Sequence, residues 1–276
     1  MTTPPRIKYN AKANTSTNQM RKNLASNAGK YEFVGGGIAN KPPCVVAGGG
    51  PSLKSSLEIL RKWEGDIFGV NDTAGYLSDN GIPCYLFAMD ASNIPYKRGP
   101  LVKGAVLATR CNPIQFEPYK DIRVFNMYED DREYCVEGGG TATTRAPHLF
   151  LRMGYRQIVF VGCDGSMPLE GDSHIYGHQS YTDADNFIVR AGDTDYLTNI
   201  SLYAQSNYLH TKILKHPSFL INASGGMLKG MIEHPDTWWV VAVGEPLKKK
   251  YVDLGYYGWV KRYEGDNKIW QPQQAV

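Results

Sequence analysis

From Pro43 onward, the sequence alternates short runs of β-branched and aromatic residues with longer stretches in which apolar residues recur at helical spacing. This alternation is typical of a parallel sheet covered by helices, because parallel strands need a crossover connection between them. Strands are predicted near residues 44–48, 66–70, 84–88, 105–109, 122–126, 157–162 and 218–222. Helices are predicted at 52–63, 73–80, 142–154 and 197–215, and Pro147 leaves the start of the third helix open. The sequence therefore predicts an α/β fold with a mostly parallel sheet and helices on both faces.

The first predicted strand runs into a loop of three glycines, a proline and a serine: Gly48, Gly49, Gly50, Pro51 and Ser52. A loop of this kind brings backbone N–H groups and a helix N-terminus to one point, where proteins often bind phosphate. The pattern Gly-x-x-x-x-Gly-Lys-Ser/Thr is absent, and Leu53 stands where a dinucleotide fingerprint has its third glycine. The loop predicts a nucleotide phosphate site of neither common type, and the alternative is that the glycines only form a tight turn.

Small hydrogen-bonding residues also follow the other predicted strands. In open sheets of this kind, ligands bind beyond the carboxyl ends of the strands, so we expect these residues to line one crevice and bind the nucleotide. Each of them taken singly is also an ordinary cap or turn former. They are Asn71 and Asp72, Asp90, Thr141, Ala142 and Thr143 before the third helix, Gly162 and Asp164, and Ser224 and Gly225.

The segment 172–178, Asp-Ser-His-Ile-Tyr-Gly-His, supplies a titratable group. It follows the sixth predicted strand, so we expect it to lie over the same crevice. His174 and His178 are four residues apart, but Gly177 argues against the helix that a shared metal ion would need. A histidine with a pKa of about 6.5 accepts a proton from a hydroxyl at neutral pH, which makes His174 the predicted general base. The alternative is that both histidines only hydrogen-bond to nearby backbone.

The charge of the chain is unevenly distributed. Residues 1–31 carry six lysines and arginines and no acid, whereas the remainder has a net charge of −3. The body is therefore not expected to bind nucleic acid. Residues 1–40 are predicted to form a basic polar arm that is mobile or loosely docked, with an anionic partner or a neighbouring subunit as alternative roles.

Composition divides the rest of the chain into a catalytic domain, residues 41–235, and an extension, residues 236–276, that holds four of the five tryptophans. No run approaches the roughly 20 apolar residues of a membrane span, and the first residues lack the apolar core of a signal peptide, so a cytoplasmic protein is expected. The five cysteines show no Cys-x-x-Cys pair and are predicted to be buried thiols rather than disulfides or zinc ligands.

Four stretches together resemble two related protein families. The stretches are Ala-Gly-Gly-Gly-Pro-Ser-Leu-Lys at 47–54, Val-Asn at 70–71, Thr-Ala-Thr at 141–143 before a helix ending Met-Gly-Tyr at 153–155, and Ile-Val-Phe-Val-Gly-Cys-Asp at 158–164. One family is the bacterial lipooligosaccharide sialyltransferases. The other is the 6-hydroxymethylpterin diphosphokinase-like (MptE-like) family, which includes the motility accessory factors of flagellin glycosylation. The resemblance covers residues 43–235 and implies a Rossmann-like sheet whose glycine-rich first loop holds nucleotide phosphate.

The similarity to the sialyltransferases extends to Ser-His-Ile-Tyr-Gly-His at 173–178, where that family has its base, and so implies this role for His174. It also implies that Asn71, Ser224 and Gly225 contact the nucleotide. Two departures are Gly49, where that family has an asparagine, and Ala142, where it has a serine. The Asp-Leu-Asp-Gly and His-Ala-His-Gly-Asp-Asn motifs of the pterin kinases are poorly kept, since their counterparts here are 88–91 and the unlike loop around His174.

The expected function is a nucleotide-dependent transferase, with a glycosyltransferase that uses a CMP-sugar donor and no tightly bound cofactor favoured. His174 would deprotonate the acceptor hydroxyl, Tyr176 or Tyr181 would donate to the leaving phosphate, and Thr141, Thr143 and Ser224 would stabilise its charge. With a nucleoside diphosphate sugar, Asp90 and Asp164 are the expected Mg²⁺ ligands.

Two alternatives remain, together with an expectation about assembly. One alternative is a Mg²⁺-dependent pyrophosphokinase that transfers diphosphate from ATP to a hydroxymethylpterin-like acceptor. The other is a non-catalytic assembly protein with a nucleotide fold. A homo-oligomer is expected from the resemblance.

Overall fold

A computed structural model describes residues 15–36, 40–127, 135–168, 174–177, 186–243, 259–264 and 267–272. Its main feature is a nine-stranded sheet in which every described strand pair is parallel. The nine strands are β1 (Glu32–Phe33), β2 (Cys44–Ala47), β3 (Ile67–Val70), β4 (Cys84–Ala88), β5 (Val102–Ala108), β6 (Ile122–Met127), β7 (Cys135–Val136), β8 (Ile158–Val161) and β11 (Leu220–Asn222). They lie in the order β1-β6-β5-β4-β3-β2-β8-β11, and β7 pairs with β6. The predicted α/β fold with a mostly parallel sheet is confirmed.

The central strands consist of apolar residues on both faces. All four residues of β2 are buried, as are the last three of β4. Continuous apolar runs of this kind are typical of parallel strands that are covered on both sides, whereas a half-exposed strand would alternate polar and apolar residues. The core that results also explains most of the cysteines: all five are free, and Cys44, Cys84, Cys111 and Cys163 are buried thiols, as predicted, whereas Cys135 is only half-buried.

Six helices connect and cover the strands: α1 (Thr17–Asn27), α2 (Leu53–Arg61), α3 (Thr73–Asp79), α4 (Ala142–Arg152), α5 (Ile200–Lys215) and α6 (Gly226–Glu233). Right-handed crossovers place α2 and α3 on one face of the sheet and α4 and α5 on the other. On the second face, Phe150 of α4 packs against Phe68 of β3, with ring centroids 4.2 Å apart. The order in which strands are added to the sheet reverses between β2 and β8: β3 to β6 lie on one side of β2, and β8 and β11 lie on the other. None of the helices in the described ranges is long and apolar enough to cross a membrane.

A smaller antiparallel sheet lies beside α5 and α6. It consists of β10 (Thr194–Asn199), β9 (Asn186–Ala191) and β12 (Trp238–Val243), in that order, and a separate hairpin pairs β13 (Trp259–Glu264) with β14 (Asn267–Pro272). Trp238 of β12 packs edge-on against Tyr203 of α5, with ring centroids 6.0 Å apart. This sheet has its own apolar core, made of Phe187, Val189, Ala191, Tyr203, Met227, Met231 and Trp238.

One helix begins later than predicted, and the start of another, which Pro147 had left open, lies at the predicted residue. The last long helix begins at Ile200 rather than at residue 197, because Thr194–Asn199 pairs with β9 and the Asn199 side chain then accepts a hydrogen bond from the Leu202 N–H. Helix α4 begins at Ala142, so Pro147 lies in its second turn. Its missing N–H leaves one backbone hydrogen bond of the helix unmade. Helix α6 and the hairpin of β9 and β10 were not predicted from the sequence.

Residues 15–36 are not a loosely docked tail, which corrects the prediction for this part of the arm. Asn23 and Asn27 of α1 are 1% and 3% exposed. The side-chain amide of Asn23 donates to the carbonyl oxygens of Ala91 and Arg110, and that of Asn27 donates to those of Thr109 and Cys111. Helix α1 is thus attached to the chain segments that follow β4 and β5.

The attachment of α1 predicts a clear loss of stability in Asn27→Ala. Two carbonyl groups would lose their buried donors, so we expect the free energy of unfolding to fall by about 2 kcal/mol. Urea denaturation measures the change. Asn18→Ala is the matched control, because Asn18 lies exposed on the same helix and its replacement costs no buried hydrogen bond. Equal stabilities of the two variants would contradict the docking of α1.

Candidate functional site

The loops that follow β2 and β8 meet where the chain reverses direction across the sheet. A Cβ atom on Gly48 would lie 2.6 Å from the carbonyl oxygen of Gly162, and one on Gly162 would lie 2.5 Å from the carbonyl oxygen of Gly48. Gly162 also has a φ of +60°, which side-chain-bearing residues rarely adopt. These two glycines are therefore required by the close approach of two backbone segments. In doubly wound sheets, this reversal point is where ligands bind.

Asp164 joins the same two loops to a third one. The N–H of Ser52 donates to Oδ2 of Asp164 at 2.8 Å, and the hydroxyl of Ser52 donates to Oδ1. The N–H of Gly225, in the loop before α6, donates to Oγ of Ser52 at 2.9 Å. We call Ser52, Asp164 and Gly225 the three-loop cluster. Because Asp164 is only 4% exposed, burial raises the pKa of its carboxyl group, against the effect of the hydrogen bonds from Ser52 and Gly225.

Most N–H groups of the first glycine loop already have protein acceptors. Gly48 donates to Val161 and Gly50 donates to Gly162, both at 2.8 Å. The N–H of Ser52 donates to Asp164, and Pro51 has no N–H. Within the described residues, Gly49 is thus the one position of the predicted phosphate loop whose N–H has no acceptor. The amides of Gly48, Gly50 and Ser52 thus donate within the protein in this structure, and their predicted role in binding phosphate stays a prediction.

A short strap, residues 174–177, lies directly over Gly49. The N–H of Ile175 donates to the carbonyl oxygen of Gly49 at 2.9 Å, and the rings of His174 and Tyr176 lie 5.2 Å apart. A Cβ atom on Gly49 would be 2.8 Å from the hydroxyl oxygen of Tyr176 and 3.0 Å from Cδ2 of His174. The structure therefore brings His174 and Tyr176 to the first loop, as expected. Tyr181 and His178 lie outside the described residues.

The environment of His174 favours a neutral imidazole. Partial burial lowers the pKa of His174, and the negative charge of Asp72 opposes this in part. Since the ordinary pKa is about 6.5, His174 is unprotonated at neutral pH and its ring nitrogen can accept a proton. The strap thus carries a base in the form that catalysis would need.

Asn71 and Asp72 follow β3 on the same edge of the sheet. Asn71 has a φ of +52°, and its buried Oδ1 has no hydrogen-bond partner among the described residues. The carboxylate of Asp72 accepts a hydrogen bond from the N–H of Lys97 at 2.7 Å. Asp72 lies close enough to His174 to affect its pKa, so this strand end and the strap border one site.

The N-terminus of α4 is held in shape by its own side chains. Thr141 and Thr144 form a capping box, and the hydroxyls of Thr141 and Thr143 lie 3.0 Å apart. The N–H groups of Ala142 and Thr143 have no acceptor in the part of the chain that the structure describes. Because α4 connects parallel strands, its N-terminus lies at the carboxyl edge of the sheet. Both glycine-rich loops thus contain N–H groups without an acceptor among the described residues: Gly49 in the first, and the buried Ala142 and Thr143 in the second.

Arg145 is a residue of this region that the sequence did not single out. It is 1% exposed, and its Nε donates to the carbonyl oxygen of Gly139 at 2.8 Å, while Nη1 donates to that of Val136. Both acceptors belong to the segment that leads into α4. The sequence did contain a signal for Arg145. The N-terminus of a helix carries a partial positive charge, so an arginine in the first turn of a helix is unusual and indicates a specific role.

The remaining predicted residues have structural partners. The hydroxyl of Ser224 accepts a hydrogen bond from the N–H of Cys163 at 2.9 Å, so it holds the loop after β8. Asp90 accepts a hydrogen bond from the N–H of Ser92 at 3.0 Å. The described residues contain no group of three histidine, cysteine or acidic side chains placed to hold a metal ion. The roles of Asp90 and Asp164 as metal ligands stay predictions.

Comparison with protein families gave one match. A family described as "6-hydroxymethylpterin diphosphokinase MptE-like" matches residues 18–168, which is more than half of the chain. The match begins in α1 and ends just after the loop that carries Asp164. Neither a curated protein nor a solved structure gave a significant match.

The packing of the strap predicts the effect of Gly49→Ala. The new methyl group would displace the side chains of His174 and Tyr176. This displacement would expose more of the imidazole to water. We therefore expect the pKa of His174 to rise towards its ordinary value of about 6.5, as measured by NMR titration of the histidine rings. Gly36→Ala is the control, since a Cβ atom at this exposed glycine meets nothing within 4 Å. A pKa unchanged by Gly49→Ala would show that the strap does not rest on Gly49.

Proposed function

The chain belongs to the MptE-like family, which points to a transferase-related role, and from this premise we propose that it is a nucleotide-dependent glycosyltransferase. In this proposal, a sugar moves from a nucleotide-activated donor, favoured as a CMP-sugar, to the hydroxyl of an acceptor. The observation that carries the proposal is the position of His174. It is a neutral imidazole packed over the glycine loop at the reversal point of the sheet.

The proposed step begins with proton removal by His174. A ring nitrogen of His174 takes the proton of the acceptor hydroxyl, and the oxygen forms a bond to the anomeric carbon of the sugar. The bond between that carbon and the donor phosphate oxygen breaks, and its electron pair leaves with the phosphate. His174 then releases its proton to solvent. In the proposal, the hydroxyl of Tyr176, which lies beside Gly49, donates to the leaving phosphate.

The donor phosphate is proposed to bind at the N-terminus of α4. The open N–H groups of Ala142 and Thr143 and the hydroxyl of Thr143 support this position, because hydrogen-bond donors at a helix N-terminus favour an anion. The N–H of Gly49 would add a donor from the strap side. Ala142 in place of a serine does not weaken this arrangement, since the backbone supplies the donor.

The two predicted Mg²⁺ ligands already accept hydrogen bonds within the protein, and their role as metal ligands stays a prediction. Both carboxylate oxygens of Asp164 already accept hydrogen bonds from Ser52, and Asp90 is bound to the backbone of its own turn. The proposed glycosyl transfer therefore uses no step through a metal ion. A leaving nucleoside monophosphate carries little enough charge for hydrogen-bond donors alone to stabilise it.

A second candidate is transfer of diphosphate from ATP to a hydroxymethylpterin-like acceptor, which the description of the matching family favours. His174 would again take the proton of the attacking hydroxyl. This reaction needs Mg²⁺ across the phosphates and releases AMP. In either candidate, a homo-oligomer and a cytoplasmic location remain predictions.

Replacing the base is the direct test. We expect His174→Ala to lower kcat by about 10²-fold or more while the affinity for the donor nucleotide stays nearly the same, because the base acts on the acceptor. Steady-state kinetics and nucleotide titrations measure the two effects. His216→Ala is the control, as His216 is an exposed histidine at the end of α5. Full turnover in His174→Ala would remove this residue from the mechanism.

A thermal-shift panel distinguishes the candidates. CMP, CDP, UDP, GDP, ADP and ATP are each added with Mg²⁺ or with EDTA, and a ligand at 100 times its Kd stabilises the protein by about 2.7 kcal/mol. Stabilisation by CMP that persists in EDTA is the result expected for glycosyl transfer. Stabilisation by ATP only with Mg²⁺ would favour diphosphate transfer. No shift with any nucleotide would contradict both reactions and favour the non-catalytic assembly protein.

A further inference from the structure

The N-terminus of α2 already holds an anionic group of the protein itself. The N–H and the hydroxyl of Ser52 both donate to the carboxylate of Asp164. This is the position at which a phosphate would sit if the first glycine loop were a phosphate site, because the N–H groups of a helix start point towards such an anion. A side chain from the loop after β8 has taken that place.

The space around this carboxylate is closed by backbone on two sides. A Cβ atom on Gly50 would lie 2.7 Å from Cγ of Asp164, and one on Gly226 would lie 2.6 Å from its Cβ atom. Asp164 is itself 4% exposed. A phosphate therefore has no room beside Asp164 and could reach the amide of Ser52 only by displacing the aspartate.

The three-loop cluster lies next to Gly49, the residue on which the strap rests. Gly50 lies between Gly49, on which His174 and Tyr176 rest, and the helix start that Asp164 holds. The N–H of Leu228 donates to the carbonyl oxygen of Asp164 at 3.0 Å, which ties the start of α6 to the same residue. Asp164 thus holds the start of α2, three residues along the chain from Gly49, on which the strap rests.

We propose that Asp164 occupies the anion position of the first glycine loop and so excludes phosphate from the amide of Ser52. The inference deepens the proposed function and rests on it for the identity of the ligand, a nucleotide donor. With the amide of Ser52 occupied, that donor places its phosphate at the N-terminus of α4. The occupation of the loop itself can be tested without any transferase activity.

The test uses inorganic phosphate as the probe and follows backbone amides by NMR. In the wild-type protein, we expect the Ser52 amide signal to stay unchanged as phosphate is added. In Asp164→Ala, the vacated position should bind phosphate, so the Ser52 and Gly225 amide signals should move and the Tm should rise with phosphate. Asp66→Ala is the matched control, because Asp66 accepts a hydrogen bond from the hydroxyl of Tyr155 away from this loop and its removal changes the net charge equally.

Two results would overturn the inference. One is a wild-type Ser52 amide that moves with phosphate as far as that of Asp164→Ala. The other is a folded Asp164→Ala whose Ser52 amide does not respond. The amides of Ala142 and Thr143, read in the same spectra, report on the proposed phosphate site, so a failure of the proposed function is seen separately.

Asp164→Asn covers the case in which Asp164→Ala does not fold. Asparagine keeps one acceptor oxygen, so Ser52 can donate through its N–H or its hydroxyl but not through both. We expect hydrogen exchange to become about tenfold faster at the Ser52 amide if the N–H loses its acceptor, or at the Gly225 amide, which donates to the Ser52 hydroxyl, if the hydroxyl is displaced. Unchanged exchange at both amides would contradict the role of the carboxylate, and the same measurement on Asp66→Asn controls for the lost charge.

Discussion

The hydrogen bonds between Ser52 and Asp164 are the contact on which the candidate site depends. They join the loop after β2 to the loop after β8, at the reversal point of the sheet, and Gly225 extends the same cluster to the start of α6. Buried polar contacts of this kind are costly when one partner is missing. The three loops are therefore held together as one unit, which gives the neighbouring residues a rigid support.

The proposed chemistry of the site follows from the side chains that lie next to these loops. The strap places an imidazole and a phenol over Gly49, and partial burial keeps the imidazole neutral. A base that is already unprotonated at neutral pH requires no further activation, and a nearby hydroxyl can stabilise negative charge on a leaving group. In the proposed function, base and phosphate lie on different segments, since the amides of Ala142 and Thr143, which have no acceptor among the described residues, belong to the start of α4.

Family membership and geometry bear on different parts of the function. The match covers the sheet from α1 to the loop that carries Asp164, and so includes both glycine-rich loops but not the strap or the elements after it. The family match thus accounts for the Rossmann-like part of the fold. The base of the proposed reaction, His174, lies beyond the match.

Local patterns in the sequence determined the sheet and its helices, because apolar runs and helical spacing act over a few residues. They failed where tertiary contacts override them: α1 is polar but buries the amides of Asn23 and Asn27, and Thr194–Asn199 is drawn into a strand by β9. The sequence also determined that small residues and His174 gather at one edge. Only the tertiary structure decided which amides stay open, because Ser52 meets its acceptor Asp164 across 112 positions of the chain, and no local pattern reports a contact of that range.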